Sequence, residues 1–357
     1  MKTNYTSLMC CPDCQNQLHL EVITKNDDQV IEGLLICRQC QCFFPIISSI
    51  PRMLGQSQLF ELVTEYPDFL RRNKDKIAEY STAAIEGFST DKRIATGFNF
   101  EWSHHSEILP EHEKELRHVF GEVLELDSFK NKTVLDAGCG QGRFSFFVKQ
   151  FGAKLVVSMD LGEQVLLARK NLTGIDNIFI VQASIFKPPF RQIFDRVISI
   201  GVIHHLPDPE LGFHTLYGKL KPGGDIFIWV YGHSSIIPII KFLRNLTRGH
   251  SDRFNRIVAL PFAVLLYGLT RVYKLLKAIG LDSIASLIPW NMYHERCFSN
   301  IWTITFDKLN SYIAVYYRRE DLQEWVDRLW DMEKAILSER YPKQSGSSWR
   351  LFVKKKR

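Results

Sequence analysis

Four groups of residues in this 357-residue chain have the types and spacing for chemistry. The first lies in residues 133–145, where an apolar, β-branched run leads to Asp136 and then to three alternating glycines, Gly138, Gly140 and Gly142, set around Cys139. Glycine suits such a turn because it tolerates positive φ and lets a ligand approach the backbone. The helix pattern that follows opens with unpaired N–H groups. In an open α/β sheet, ligands bind at such a turn, beyond the carboxyl ends of the strands. The second group is Asp160, the acid that closes a second strand-like run, 155–160. The third is Gly201 with the tandem His204 and His205, just past the strand-like run 195–200. Imidazole titrates near neutral pH, which suits it to take a proton from a hydroxyl. Neighbours on an extended segment point opposite ways, so one of the two histidines reaches a ligand, and His205 is the stronger candidate. The fourth is a pair of C-x-x-C knuckles, Cys11 with Cys14 and Cys37 with Cys40. Four thiolates satisfy tetrahedral zinc with no open position, which makes a structural site. A disulfide pair is the alternative. Cys10 and Cys42 are spare, and either could displace a neighbour.

These residues need elements to hold them. Between the knuckles, strand-like runs 18–24 and 30–36 flank a polar turn at 26–28 and predict a hairpin. Leu116, Val119, Phe120, Val123 and Leu124 fall at helical spacing. The chain then predicts strand 133–137, helix 142–151, strand 155–160, helix 162–171, strands 178–182 and 195–200, helix 208–220 and strand 225–230. Strand and helix alternate, so the fold class is α/β, with a parallel, doubly wound sheet. After Val230 the alternation stops, and residues 232–315 form a long apolar and basic insertion that includes Trp290. Leu322, Trp325, Val326, Leu329 and Trp330 make one helical stripe of core type. Strands 335–341 and 348–354 would close the sheet, with a hairpin turn near Gly346.

The glycine turn, the acid at Asp160, the strand 195–201 and the Lys221-Pro222-Gly223-Gly224 turn stand in an order that resembles the class I S-adenosylmethionine-dependent methyltransferases, in the UbiE-like small-molecule group. The resemblance covers residues 111–231 and the tail 316–357. It implies a Rossmann-like seven-stranded sheet and S-adenosylmethionine as cofactor. The three glycines would pass along the methionine part, with Cys139 between them. Asp136 would fix the ammonium, and Asp160 would accept both ribose hydroxyls, with Leu161 beside it. The alternative for Asp160 is a cap on helix 162–171. Gly201 would line the same cleft. One position departs from the pattern: Ser184 stands where an acid usually receives the adenine amino group, and the backbone at Ile185 would share that contact. Many relatives carry a histidine near His205 whose ring only braces the loop. Residues 8–54, ending in Phe43-Phe44-Pro45-Ile46 and Ile50-Pro51-Arg52-Met53-Leu54, resemble the small zinc-ribbon module that activates tRNA methyltransferases. That likeness implies a structural Zn2+ and a role in stability or substrate docking. The expected domains are a ribbon (1–55), a connector or cofactor lid (56–110), the core (111–231 and 316–357) and a helical substrate cover (232–315). The aromatic run 97–102 would close over the cofactor or pack on the core, and His104 and His105 follow it.

Composition narrows the function. A net charge of +6 permits an anionic partner without demanding one, and the run 354–357 supplies much of it. No signal peptide is visible in residues 1–14, so the expected location is cytoplasmic, with membrane association through the insertion. The apolar run 258–270 stops at Arg271, short of the roughly 20 residues a span needs. An apolar face beside basic residues suits a membrane surface or a lipid-like substrate; packing on the core is the alternative. Neither an Asn/Asp-Pro-Pro-Tyr/Phe motif nor a Pro-Cys pair follows strand 195–200, against adenine, cytosine-amino and cytosine-C5 acceptors. The expected partner is a small-molecule methyl acceptor: a hydroxyl or activated carbon of a sugar, lipid or quinone-like compound. Nucleic acid is a weaker candidate partner, and a catalytically silent cofactor-binding protein is a third.

Overall fold

The computed structural model describes residues 1–54, 66–78, 81–82, 107–233, 237–247, 249–288, 293–310, 313–340 and 348–357. The aromatic run 97–102, His104, His105, Trp290 and the turn at Gly346 lie outside them.

The first strands are set by alternation around a polar turn. β1 (His19–Asn26) turns at Asp27, φ +53°, into β2 (Gln29–Cys37). β3 (Cys42–Ile47) and β4 (Ile50–Met53) continue the antiparallel ribbon through Ser48 and Ser49, both at positive φ. The two-residue β5 (Ser81–Thr82) lies beside β3. Two short helices, α1 (Pro67–Arg72) and α2 (Lys74–Ala78), follow the ribbon, and Phe69 is buried against its outer face.

The core begins at α3 (Glu111–Phe120), which buries Leu116, Val119 and Phe120 and stops at Gly121, φ +54°. It then alternates: β6 (Thr133–Ala137), α4 (Arg143–Gln150), β7 (Leu155–Asp160), α5 (Gln164–Asn171), β8 (Ile178–Ala183), β9 (Phe194–Ile200), α6 (Pro209–Tyr217) and β10 (Leu220–Tyr231). Pro209 at the first helical position and the Asp208 carboxylate, which accepts the Leu211 N–H at 3.0 Å, fix the start of α6. The insertion is helical among its described residues: α7 (Ile237–Thr247), α8 (Asp252–Ala278), α9 (Asp282–Ala285) and α10 (Phe298–Asn310). α11 (Arg319–Asp327), β11 (Met332–Glu339) and β12 (Ser348–Lys355) complete the chain. α11 buries Leu322, Trp325 and Val326, but Trp330 is 87% exposed. The helix ends three residues earlier, so Trp330 leaves the predicted stripe.

Seven core strands stand in the order β8-β7-β6-β9-β10-β12-β11, parallel except for β12, which runs antiparallel to both neighbours. Alternate residues face opposite ways, as a pleat requires. Val134, Val156 and Ile198 pack on one face with Phe120 and Phe227. Leu135, Val157 and Val197 pack on the other with Phe213 and Trp325.

The ribbon is not a separate bead. β4 pairs in parallel with β8, Arg52 opposite Gln182 and Met53 opposite Ala183, so the sheet grows to 12 strands. Arg52 is fully buried there. Its Nη1 donates to Glu163 at 3.1 Å and to Gln182 Oε1 at 2.5 Å, and its Nη2 donates to the Tyr66 hydroxyl at 3.1 Å. Gln182 in turn donates to the Leu161 carbonyl at 2.9 Å. Removing one partner of a buried ion pair typically costs about 3–5 kcal/mol. Glu163 keeps 27% of its side chain exposed. Arg52→Ala is therefore expected to lose about 3 kcal/mol, the low end of that range, in denaturant unfolding. A loss below about 0.5 kcal/mol, the size of an ordinary surface change, would show that the ribbon is not locked to the core through this residue.

Candidate cofactor and methyl-acceptor site

β6 lies at the switch point of the sheet, with β7 and β8 on one side and β9 and β10 on the other. The loops after β6, β7, β8 and β9 therefore meet at one crevice. The glycine turn there is held by sterics. Gly138, Gly140 and Gly142 have φ of +83°, +54° and +85°. A Cβ on Gly138 would sit 2.4 Å from a Val202 methyl, and one on Gly142 would sit 2.6 Å from Leu172. The Gly138 and Cys139 N–H groups both donate to the Met159 carbonyl, at 2.7 and 3.0 Å, which ties the turn to the end of β7. The Cys139 side chain is buried with Val165 and Ala168.

Asp160 closes β7 and faces this turn. One carboxylate oxygen accepts the Gly140 N–H at 2.8 Å and the other accepts the Gly162 N–H at 3.0 Å. Each oxygen keeps a further lone pair, enough for a pair of vicinal hydroxyls. α5 starts later, at Gln164 with Glu163 as its N-cap, so Asp160 does not cap that helix. Leu161 packs against Leu54, at the end of the ribbon. After β8 the Ser184 hydroxyl accepts its own turn's Phe186 N–H at 3.2 Å, and Ile185 is buried. Gly201, φ +78°, donates its N–H to the Trp229 carbonyl and approaches the indole ring.

Asp136 sits under the turn rather than in the open cleft. It is 1% exposed and accepts from Ser145 Oγ at 2.6 Å, which itself accepts from Ser158 Oγ at 2.7 Å. Burial pushes its pKa up to about 7, and the Ser145 bond only partly offsets that. An acid whose pKa rises on folding binds more protons folded than unfolded between the two values, so stability falls as pH rises through that window. Ligand-free protein is thus expected to lose stability from about pH 4 to about pH 7 through this group. Asp136→Asn should flatten that slope in denaturant melts; an unchanged slope would remove Asp136 as its source.

Past β9, His204 and His205 lie in a short 3-10 turn with 0% and 3% exposure. The His204 ring packs tilted against Tyr231 (ring centres 3.9 Å apart) and lies 4.1 Å from the His205 ring. Neither His204 ring nitrogen has a partner among the described residues, and burial holds its pKa well below the usual value. His205 Nδ1 is 2.6 Å from the Ile313 carbonyl, and the Val315 N–H donates to the His204 carbonyl at 2.9 Å. The end of the insertion is thus pinned over this turn, and Tyr316 stacks on Tyr231. A second pin lies at the glycine turn, where Glu115 pairs with Arg143 at 3.4 Å and with Arg296 of the insertion at 3.2 Å. Burial opposes the Glu115 charge, but the two guanidiniums hold its pKa at about 2.

In the ribbon, Cys11, Cys37, Cys40 and Cys42 place four sulfurs within 4.8 Å of one another. Cys14 lies 3.5 Å from Cys37, and Cys11 lies 3.9 Å from Cys40. Tetrahedral zinc with Zn–S bonds of about 2.3 Å needs sulfur pairs about 3.8 Å apart, so the donor set fits zinc. All eight cysteines are free thiols. Cys11, Cys37 and Cys40 belong to both arrangements, and Cys14 and Cys42 contend for the fourth corner. Zinc content separates them: the ligand's Cys→Ser variant is expected to lose the metal, while the other keeps one zinc per chain. Full zinc in both single variants would contradict a fixed four-thiolate site.

A doubly wound sheet in methyltransferase order, a glycine turn faced by an acid, and a thiol ribbon at the sheet edge define an S-adenosylmethionine-dependent methyltransferase. Residues 135–228 match the family described as "Methyltransferase domain", and residues 6–48 match "Trm112p-like protein". A ubiquinone biosynthesis O-methyltransferase of Pseudomonas entomophila is 30% identical over 161 residues, 42% of this chain and 68% of that protein. A tRNA U34 carboxymethyltransferase of Ruthia magnifica subsp. Calyptogena magnifica is 29% identical over 143 residues, 39% of this chain and 44% of that protein. A solved S-adenosylmethionine-dependent methyltransferase from Anabaena variabilis superposes with a TM-score of 0.43 and 14% identity over 76% of this chain and 96% of that one. The chain belongs to the S-adenosylmethionine-dependent methyltransferase family. It spans less than half the length of the tRNA carboxymethyltransferases it matches.

Three features of the site had no local signal in the sequence. The Ser145–Asp136 bond joins a helix to a strand, Arg52 and Glu163 are 111 residues apart, and Glu115 and Arg296 are 181 apart. Ser145 lies in the first turn of α4, on the side that meets β6.

Proposed function

We propose that the protein transfers a methyl group to a hydroxyl or activated carbon of a small molecule, of sugar, lipid or quinone-like type. The sulfonium of S-adenosylmethionine supplies an electrophilic methyl. The residues then have to bind, aim and exclude water. Gly138, Gly140 and Gly142 would pass along the methionine part, with Asp136 beneath. Asp160 and Leu161 would hold the ribose, and Ser184 with the Ile185 backbone would meet the adenine. Gly201 would line the cleft between cofactor and acceptor.

The observation that carries the small-molecule reading is the wall past β9. His204, Trp229, Tyr231 and Tyr316 form a ring-rich cluster under the pinned insertion, with His204 fully buried, the Arg340 guanidinium over the Trp229 ring and Arg244 donating to the Tyr316 hydroxyl. Stacked and edge-on rings suit a cyclic acceptor. Residues 111–231 and 316–357 would act as the core and 232–315 as the acceptor cover. RNA methylation with ribbon docking is the second reading, supported by the Trm112p-like match and the tRNA-modifying relatives. Against it, residues 1–54 carry four Lys and Arg and five Asp and Glu, the wrong balance for holding phosphates. Incubation with methyl-labelled cofactor and fractionated cell extract tests the choice. Label in a nuclease-resistant, small-molecule fraction is expected; label confined to RNA would overturn the reading.

We assign His205 to bracing the acceptor wall through Ile313, with general-base action as the alternative. His205→Asn keeps a donor near the Nδ1 position, so it is expected to retain turnover within about tenfold, whereas His205→Leu falls further. A base would instead lose about a hundredfold or more in both variants with cofactor affinity intact.

A further inference from the structure

We propose that α7, α8 and α9 form an interfacial anchor that seats the protein on the surface of an anionic phospholipid bilayer. The proposal stands apart from the methyl-transfer reading, because it rests on the outer face of the insertion. α8 is 27 residues long and begins at the Ser251 cap. Its inner face is small and partly polar. Asn255, Ala259, Ala263 and Thr270 are buried, and Ala259 packs with Phe306 and Leu309 of α10. Its outer face is the reverse. Ile257, Val264, Leu275 and Ile279 recur at helical spacing and are 67%, 55%, 62% and 61% exposed. Past Gly280 the exposed row goes on through Ile284 and Leu287 of the α9 region. Single exposed apolar residues need no explanation, but a stripe this long marks an interaction surface.

Charge names the partner. Residues 237–288 hold eight Lys and Arg against two Asp, a surplus equal to the whole chain's net charge of +6. Arg253 and Lys274 lie exposed on one flank of the stripe. An apolar strip with a basic flank is the pattern of a helix lying in a lipid headgroup layer, apolar side down and cations among the phosphates. A second copy of the same face would set positive against positive. Crossing the bilayer fits less well. α8 is long and apolar enough for it by length and composition. But α10 is packed along α8 and carries Lys308, and it would have to enter the hydrocarbon too.

The test uses the full chain with zinc and vesicles of phosphatidylglycerol and phosphatidylcholine against phosphatidylcholine alone, at low salt. Co-sedimentation with the anionic vesicles is expected, about tenfold or more above the neutral ones, and falling as salt rises. Val264→Glu with Leu275→Glu, and separately Arg253→Gln with Lys274→Gln, should each lower that binding with melting unchanged. Equal recovery in the supernatant with both vesicle types would overturn the proposal. So would stripe-dependent self-association without lipid binding, or wild-type protein that resists alkaline carbonate extraction from membranes, the mark of a spanning helix.

Discussion

Stripping zinc from the protein is expected to unfold residues 1–54. Structural zinc in small thiolate sites contributes about 10–16 kcal/mol of apparent binding energy at neutral pH, which is folding energy for the segment that holds it. Cys11, Cys37 and Cys42 belong to the apolar cluster that runs from the ribbon into the main sheet. Without the metal, a cluster of thiols would have to stay close with nothing to share. The effect should reach the core, because β4 is an edge strand of the main sheet and Arg52 holds Glu163 beside Asp160. Chelator treatment should therefore expose residues 1–54 to protease and weaken S-adenosylhomocysteine binding together. Arg52→Ala should reproduce the second effect with zinc still bound. A metal-free protein that keeps a protease-resistant ribbon, or one in which a disulfide joins the knuckles, would refute the zinc assignment.

Asp160→Ala is expected to weaken S-adenosylhomocysteine binding by about tenfold to a hundredfold. Two charge-assisted hydrogen bonds to ribose hydroxyls would be lost, worth about 1.5–3 kcal/mol in net terms. The same carboxylate also holds the Gly140 N–H, so the glycine turn loosens as well. Asp160→Asn separates the two: it keeps an acceptor oxygen for one contact and should fall between wild type and alanine. Calorimetry on zinc-loaded protein reads the difference. Wild-type affinity in a folded Asp160→Ala would take this residue out of the site.

Much of the core could be read from the residues, because it rests on local signals. The alternation of apolar runs with helical spacing placed β6, β7, β8 and β9 within a residue or so of where they lie. The glycine turn was legible because positive φ favours glycine at all three positions, and a Cβ at Gly138 or Gly142 would also clash. β10 begins five residues before the predicted start, because the Lys221-Pro222-Gly223-Gly224 segment is absorbed as a register shift between Leu220 and Asp225. α8 was harder to delimit, since Pro261 sits inside it where a helix break is the usual expectation. The site beyond the turn depends on contacts with no local trace. Nothing near His205 announces that Ile313 will meet its ring, 108 residues on. Cys42 counted as spare by spacing alone, yet the β2–β3 pairing sets it opposite Cys37 and inside the thiol cluster.

A structure of the protein with S-adenosylhomocysteine bound tests the account most directly. It should show the ribose hydroxyls on the Asp160 carboxylate, the amino acid part along Gly138 to Gly142, and the sulfur directed toward Gly201 and the wall of His204 and Tyr231. Ligand bound elsewhere on the sheet, or ribose hydroxyls held by groups other than the Asp160 carboxylate, would contradict it.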